Sequence, residues 1–342
     1  MRVALTYNEK RAELRGHERA ASASPDAADA EFDRREAIAE VARRVAELGH
    51  QVTPVDVSGS IPRLVGRLAR IAPDLVLNFA EGERGTFREA FYPALFEQLG
   101  LAHTGSSAST LAVCLDKALA KRVVAGARVR VPRGRLIRAL DDPWLTARSD
   151  LAGAPLPAIV KPNFEGSSKG ITAASIARDR AALADIVGDA LARYPQGVLV
   201  EELIDGIDVG VGWFAGLGLL PPIAYRYDGP IYDFALKHLT PERVRLEIPA
   251  ALPEPVARRL EVAAARAFAA LDVTGYGRVD LRITPGGEAV FLEMNPLPSL
   301  TLAPGHDELY AAAARLGASP RTLLATVLDA ALPRGQPLPA CA

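Results

Sequence analysis

The sequence predicts an α/β protein: a parallel, doubly wound sheet over the first part of the chain, then an α+β arrangement with antiparallel pairs. Three observations carry this. Up to Gly100, short apolar runs alternate with segments of helical spacing, the rhythm of β-α-β units. From about Ser106 that rhythm stops. Near the end, two apolar runs, Gly277 to Thr284 and Ala289 to Met294, flank Pro285-Gly286-Gly287, which reads as the turn of a hairpin.

Taken in order, Arg2 to Tyr7 reads as a buried strand. Glu9 to Ala30 is polar, Ala-rich and without clean periodicity, so a long loop is expected there. Ile38, Val41, Val45 and Leu48 recur at helical spacing within Asp33 to Leu48, and Gly49 stops that helix. Gln51 to Val57 is a second strand and Ile61 to Ile71 a helix. Asp74 to Ala80 is a third strand that runs into the loop E-G-E-R-G, and Thr86 to Leu99 is a helix closed by Gly100. Ligands of such sheets sit beyond the carboxyl ends of the strands, which puts Asn78, Glu81 and Glu83 where a ligand would be. Beyond Ser106, helices are expected over Ser109 to Ala125, Arg178 to Tyr194, Pro253 to Leu271 and Pro320 to Leu332. Strands are expected over Ala158 to Lys161, Val198 to Ile204 and Asp208 to Ala215. There is no internal repeat and no G-x-x-x-x-G-K-[ST] phosphate loop.

Composition narrows the function classes. The chain has 342 residues, enough for two or three lobes, and 49% apolar with 24% charged residues is an ordinary globular balance. A net charge of −1 gives no electrostatic reason for a nucleic-acid or membrane partner. Cys114 and Cys341 lie far apart, which argues against a disulfide framework and fits a reducing cytoplasm. The opening apolar run stops by Thr6, too short for a signal peptide, and no apolar stretch is long enough to span a bilayer.

Three constellations carry chemistry. In Lys161-Pro162-Asn163-Phe164-Glu165-Gly166-Ser167-Ser168-Lys169-Gly170 a lysine at a strand end precedes a small-residue loop. Small residues let backbone N–H groups approach a phosphate, hydroxyls add donors, and the lysine adds charge. A solvated Gly/Ser turn is the plainer reading, and the loop alone does not choose. Asp280 on one hairpin strand, with Glu293 and Asn295 two apart on the other, brings hard oxygen ligands to one face, as Mg²⁺ prefers. These positions could instead be exposed charges, but apolar Val279, Leu292 and Met294 beside them favour a cation. Glu201-Glu202-Leu203-Ile204, after Val198-Leu199-Val200, could hold an adenine and ribose or be ordinary edge-strand acids.

Together and in this order, these segments resemble the ATP-grasp ligases, and within them the D-alanine–D-alanine ligase family. The resemblance runs over nearly the whole chain. It is strongest at H-T-G-S-S with D-K-A-L-A-K, K-P-N-F-E-G-S-S-K-G, V-L-V-E-E-L-I-D-G-I-D-V, Y-D-F-A-L-K-H, G-Y-G-R-V-D and F-L-E-M-N-P. It implies a Rossmann-like N-terminal substrate lobe (1–105), then the central (106–196) and C-terminal (197–342) α+β subdomains of an ATP-grasp fold. It implies ATP and Mg²⁺, or Mn²⁺ in its place. Lys117 and Lys161 match the lysines on the ATP phosphates. Glu201, Glu202, Ile204 and Asp208 match the nucleotide pocket, with Asp208 where the family usually has Glu. Asp280, Glu293 and Asn295 match the metal ligands. Arg278 matches the arginine that stabilises the acyl phosphate and tetrahedral oxyanion, and Ser167 and Lys237 match substrate-loop residues at the reacting centre. The partners expected are a small carboxylate and an amine. The resemblance is also compatible with a homodimer through the N-terminal lobe.

The departures fall on the substrate side. The family's Gly-Gly-x-Ser-x-Glu run after the first strand is missing, and Glu31 is the candidate for its amino-binding acid. Asn78 stands where the family has His. His238 takes an aromatic position beside Lys237, as a substrate residue or a packing one. Ser299-Leu300-Thr301 replaces Gly-Met-Thr, and Pro304 falls about where a serine would grip the second substrate's carboxylate. A segment around Tyr232 to Thr240 is expected to close over the site and keep water from the acyl phosphate. The expected activity is an ADP-forming carboxylate–amine ligase working through an acyl phosphate, on amino-acid-like substrates other than two D-alanines. Authentic D-alanine–D-alanine ligation is the alternative, and a catalytically idle ATP-binding regulator a second one.

Overall fold

In a computed structural model of the chain, residues 1–10, 32–146, 153–301 and 307–332 are described. The loop expected over Glu9 to Ala30, the candidate Glu31, and Pro304 and Cys341 lie wholly or mostly outside these residues.

Val3, Leu5 and Tyr7 alternate with Ala4 and Thr6, and both sets are buried, as a strand between two helical layers requires. The chain runs β1 (Arg2–Tyr7), α1 (Arg35–Glu47), β2 (Gln51–Asp56), α2 (Ile61–Ile71), β3 (Leu75–Asn78) and α3 (Arg88–Gln98). The three strands form a parallel sheet of order β2-β1-β3. Ile38, Val41 and Val45 of α1 cover Val3, Leu5 and Leu77 on one face. Leu64 and Leu68 of α2 and Phe96 of α3 cover Ala4 and Val76 on the other. This is the doubly wound sheet that the sequence predicts.

The helix expected over Ser109 to Ala125 is two helices, α4 (Ala108–Leu115) and α5 (Lys117–Gly126). Asp116 breaks it: its backbone is extended (ψ 90°), and its carboxylate caps α5 by accepting from Leu119 N. The same oxygen accepts from Asn163 Nδ2 at 2.8 Å, which ties the break to the Gly/Ser loop.

A second, four-stranded sheet follows. Its elements are β4 (Gly134–Ile137), the short α6 (Pro143–Thr146), β5 (Ala158–Pro162), β6 (Ile176–Ala177), α7 (Arg180–Arg193) and β7 (Val198–Glu202). The strand order is β4-β7-β5-β6, all antiparallel, and Leu183, Val187 and Ala190 of α7 close its core over Val160 and Val198.

The third sheet has six strands. Its elements are β8 (Ile207–Phe214), β9 (Gly218–Leu219), β10 (Ile223–Arg226), β11 (Arg245–Glu247), α8 (Glu254–Ala270), β12 (Tyr276–Ile283) and β13 (Ala289–Asn295); α9 (Glu308–Ala314) and α10 (Pro320–Ala330) complete the described chain. The order is β11-β10-β8-β12-β13, with β9 on β8. β7 and β8, which flank Asp205-Gly206, belong to different sheets. Gly206 makes the passage at φ +140°, where a Cβ would stand 2.0 Å from Ile283 O, so no other residue fits.

Val209, Val211, Val279 and Leu281 of the third sheet face α8. The alternate positions Asp208, Gly210, Gly212, Arg278, Asp280 and Arg282 face the other way, and the register sets Gly210 opposite Asp280 and Gly212 opposite Arg278. That face carries the site.

Candidate active site

A cavity of about 480 Å³ lies over the polar face of β8, β12 and β13 and is walled by β5, β7, the Gly/Ser loop and the Ser299 segment. It brings together most residues singled out in the sequence: Lys117, Lys161, Ser167, Glu201, Glu202, Ile204, Asp208, Lys237, Arg278, Asp280, Glu293, Asn295 and Ser299.

Its phosphate-like end starts from local backbone chemistry. The Asp116 break places Lys117 first in α5, where its ammonium donates to Glu165 O and lies 3.3 Å from Glu293. Ser167 (φ 50°), Ser168 (φ 56°) and Gly170 (φ 68°) sit in the left-handed region, the kind of turn that aims successive N–H groups into one concavity. Lys161, next to last in β5, pairs with Glu201 at 2.6 Å. Glu201 is 1% exposed and has a second cation, Lys121, at 3.3 Å. Burial would raise the Glu201 carboxyl, but Lys121 and Lys161 outweigh it and hold it below the usual range. Lys121 is itself pushed down to about 8 by burial, against Glu201. Sequence reasoning missed Lys121. Its only signal was one turn of helical spacing from Lys117, visible once α5 is known to start at residue 117.

The hairpin end was set by register. Asp280 pairs with Glu293 and Arg278 with Asn295, so all four side chains share one face. Between Asp280 and Leu281 the ladder slips, leaving Leu292 as the extra residue of a β-bulge. The Leu292 carbonyl accepts from Lys121. Arg278 binds both oxygens of Asp280 (2.7 and 2.9 Å) and reaches Glu308 at 3.0 Å. A Cβ on Gly210 would stand at ordinary contact distance from Arg278 Cδ (3.4 Å) but would crowd Tyr225 Oη at 3.0 Å. Burial raises the Asp280 carboxyl against the pull of Arg278. Burial acts on Glu293 too, but Lys117, Lys237 and Lys161 hold it low. Two facing carboxylates and the Asn295 amide oxygen are a hard-oxygen set that suits Mg²⁺ once phosphate oxygens complete it. No cluster of three or more His, Cys, Asp or Glu side chains that could hold a metal occurs among the described residues.

The segment expected to close over the site is docked there. It forms one π-type turn, Ala235–Leu239, anchored by Ser168 Oγ on Tyr232 O and by Phe234 N on Ile171 O. Lys237 lines the cavity, and its ammonium is driven down by burial and by Arg278.

Three candidates are placed differently. Asn78 does not line the cavity. It is fully buried, and its Oδ1 accepts from Thr6 Oγ1 at 2.9 Å and from Ala80 N at 3.1 Å, which fixes the exit of β3. Glu83 is exposed and also stands outside, whereas Glu81 lines the cavity and pairs with Arg88 at 2.6 Å. His238 is not among the lining residues; its ring lies 4.5 Å from that of Phe234 and its Nε2 3.0 Å from Ser167 O, so it packs beside the Ser loop. Asp208 is in the lining, but both its oxygens are taken by Arg282 (2.7 and 2.8 Å), and Tyr227 donates to it as well. Arg282 and Asp33 are lining residues that sequence reasoning passed over. Burial pushes the Asp33 carboxyl up to about 7.

Residues 146–329 match the profile of the family described as D-ala D-ala ligase C-terminus. The chain belongs to the D-alanine–D-alanine ligase family. It is 34% identical to the D-alanine–D-alanine ligase of Anaeromyxobacter sp. (strain Fw109-5) over 255 residues, 74% of this chain and 78% of the relative. It is also 34% identical to the D-alanine–D-alanine ligase of Gloeobacter violaceus, over 74% of this chain and 80% of that one. The fold is shared with D-alanine–D-alanine ligase from Bacillus anthracis (TM-score 0.74, 20% identity, 97% of each chain covered). It is shared too with the VanG D-Ala:D-Ser ligase from Enterococcus faecalis (TM-score 0.66, 20% identity, 97% of this chain and 99% of that one). As a member of this family the chain is an ATP-grasp ligase that uses ATP to form a C–N bond. No helix among the described residues is long and apolar enough to cross a membrane.

Proposed function

We propose that this ligase phosphorylates a small carboxylate with ATP and joins the acyl group to an amine, with D-alanine as the substrate to test first on both sides. The observation that supports the chemistry is the convergence of Lys117, Lys161, Lys237 and Arg278 with Asp280, Glu293 and Asn295 in one cavity. A carboxylate attacking a triphosphate meets charge repulsion. Preorganised cations that need no reorganisation are the largest remedy available, and losing one costs roughly 10²–10³ in rate. In this reading Lys117 and Lys161 hold the phosphates, and Glu201, Glu202 and Ile204 hold the adenosine. Asp280, Glu293 and Asn295 would hold Mg²⁺, which when bound neutralises phosphate charge. Arg278 stabilises the oxyanion, and Ser167 and Ser299 line the substrate end. Lys237 sits on the segment that keeps water out. The three sheets support a division into the substrate lobe (1–105) and the two ATP-grasp subdomains (106–196 and 197–342).

D-alanine on both sides is the reading that the relatives' names favour over other amino-acid-like substrates. They give no support to a catalytically idle ATP binder. A second reading, with a different amine, has one observation in its favour: every described lining cation except Lys237 is already held by a carboxylate, so few are left to receive an acceptor's carboxylate. The test is ADP release with ATP, Mg²⁺ and D-alanine, with the product identified by mass. D-alanyl-D-alanine is the expected product. ADP release with another amine and none with D-alanine would move the assignment to the second reading.

A further inference from the structure

An amino-acid amine is an ammonium ion at neutral pH and cannot attack until a proton leaves it. Some group near the acyl carbon has to take that proton. Four of the carboxylates that line the cavity between the hairpin and Lys161 are engaged by cations. Asp280 gives both oxygens to Arg278, Asp208 gives both to Arg282, Glu293 faces Lys117, and Glu201 lies between Lys161 and Lys121.

Glu308 differs. It is the first residue of α9, its side chain is 13% exposed, and it lines the cavity. Its Oε1 accepts from Arg278 Nη1 at 3.0 Å, and no described residue donates to Oε2. A group touching the oxyanion arginine lies within one further contact of the acyl carbon. The groups that face Glu308 are Arg278 from β12, Tyr225 from β10, and Tyr232 and Lys237 from the closing segment; Asp280 is held by the same Arg278, and Asp307 precedes Glu308 in the chain. Burial raises the phenols of Tyr225 and Tyr232, so neither is an anion that could compete for the proton. Lys237 and Arg278 are cations.

We propose that Glu308 is the general base of the second half-reaction, receiving the acceptor's ammonium at Oε2 and taking one proton from it. This rests on the ligase reading above. The freed lone pair attacks the acyl carbon, the C–O bond to the phosphoryl group breaks, and phosphate leaves with the electron pair. The nitrogen's second proton goes to the departing phosphate, and Glu308 returns its proton to water, so one amide, one hydrogen phosphate and one proton result.

The test uses two acceptors on Glu308→Gln, which keeps the carbonyl oxygen for Arg278 but cannot take a proton. Hydroxylamine is largely unprotonated at neutral pH and needs no base, so hydroxamate formation reports the donor's acyl phosphate alone. D-alanine reports the full reaction. In Glu308→Gln, amide formation at pH 7 should fall about 100-fold or more while hydroxamate formation stays within about twofold of wild type. The amide defect should shrink as pH rises through the amine's own range. Equal losses with both acceptors would mean that Glu308 only positions Arg278, and an undiminished amide rate would also overturn the proposal. If wild-type protein forms neither hydroxamate nor ADP with any donor, the ligase reading itself fails, and this proposal with it.

Discussion

Asp33 shows how a single residue can report on the site. Its backbone bridges to Glu9, and Asp33 lines the cavity beside Phe32 and Phe79. Burial raises its carboxyl to about 7, with Lys10 opposing weakly. A carboxyl raised in the folded state means that the native protein holds a proton which the unfolded chain has already lost. Stability therefore falls as pH rises from about 4 to about 7, and the loss is complete above that. Asp33→Asn removes the titration. Urea unfolding across that window should show a smaller decline for the variant than for wild type, and parallel curves would count against the burial argument. Asp33 was hard to read in the sequence because nothing nearby announces burial. Asn78 misled for the opposite reason: a polar residue at a strand's carboxyl end reads as ligand-facing, while its amide is consumed by Thr6 and Ala80. That Asp280, Glu293 and Asn295 share one face was legible because period-2 alternation fixes which hairpin residues lie together. The pairing of Asp208 with Arg282 was not legible, since it depends on β8 lying beside β12, and the chain between Phe214 and Tyr276 builds three other strands and a helix first.

The break between α4 and α5 is the clearest case at the scale of an element. A continuous helix over Ser109 to Ala125 satisfies propensity and periodicity, and the sequence favours it. The structure instead spends Asp116 as an N-cap and as the acceptor for Asn163. Asn163 returns the contact by accepting from Ala118 N at 3.0 Å. The gain is placement, because Lys117 opens α5 facing Glu293 and the Gly/Ser loop. Asp116→Ala should lower stability by about 1–2 kcal/mol, the usual cost of a lost cap. It should also raise the KM for ATP. Asp179 caps α7, away from the cavity, through Ala182 N. Asp179→Ala should therefore lower stability by a similar amount, about 1 kcal/mol, with KM unchanged. If both variants shift KM alike, the effect is general destabilisation and the placement argument fails. Most other elements were legible to within a few residues. The short strands β4, β6 and β9 to β11 and the helices α6 and α9 were not, because two to seven residues are too few for a period to show.

Across the whole molecule the cores are unevenly connected. One cluster runs from Val3 and Leu5 through Ile38 and Val41 to Phe214, Tyr276, Leu309 and Leu324, so the first sheet and the third share an apolar core through α1, α9 and α10. The second sheet has a core of its own around Val160, Val187 and Val198. Part of its connection to the rest is charged: Lys161 and Glu201 on its strands, Lys121 and Lys117 on α5, and Glu293 on β13. Apolar cores couple strongly because burial scales with area, whereas charge clusters depend on what neutralises them. The second sheet should thus be the less stable part in the absence of nucleotide. Two tryptophans report on it separately, since Trp144 packs on the second-sheet core and Trp213 on the core under α8. With Trp213→Phe the remaining fluorescence follows the second sheet, and with Trp144→Phe it follows the third. Urea midpoints of the two variants should differ without nucleotide, with the Trp144 signal lost first. MgATP in the cleft contacts both sides and stabilises only the joined state, by about 2.7 kcal/mol at a hundredfold excess over Kd. The two midpoints should then rise and converge. Coincident midpoints without nucleotide would show that the three sheets already unfold as one, and that the charged seam couples them as firmly as an apolar core does.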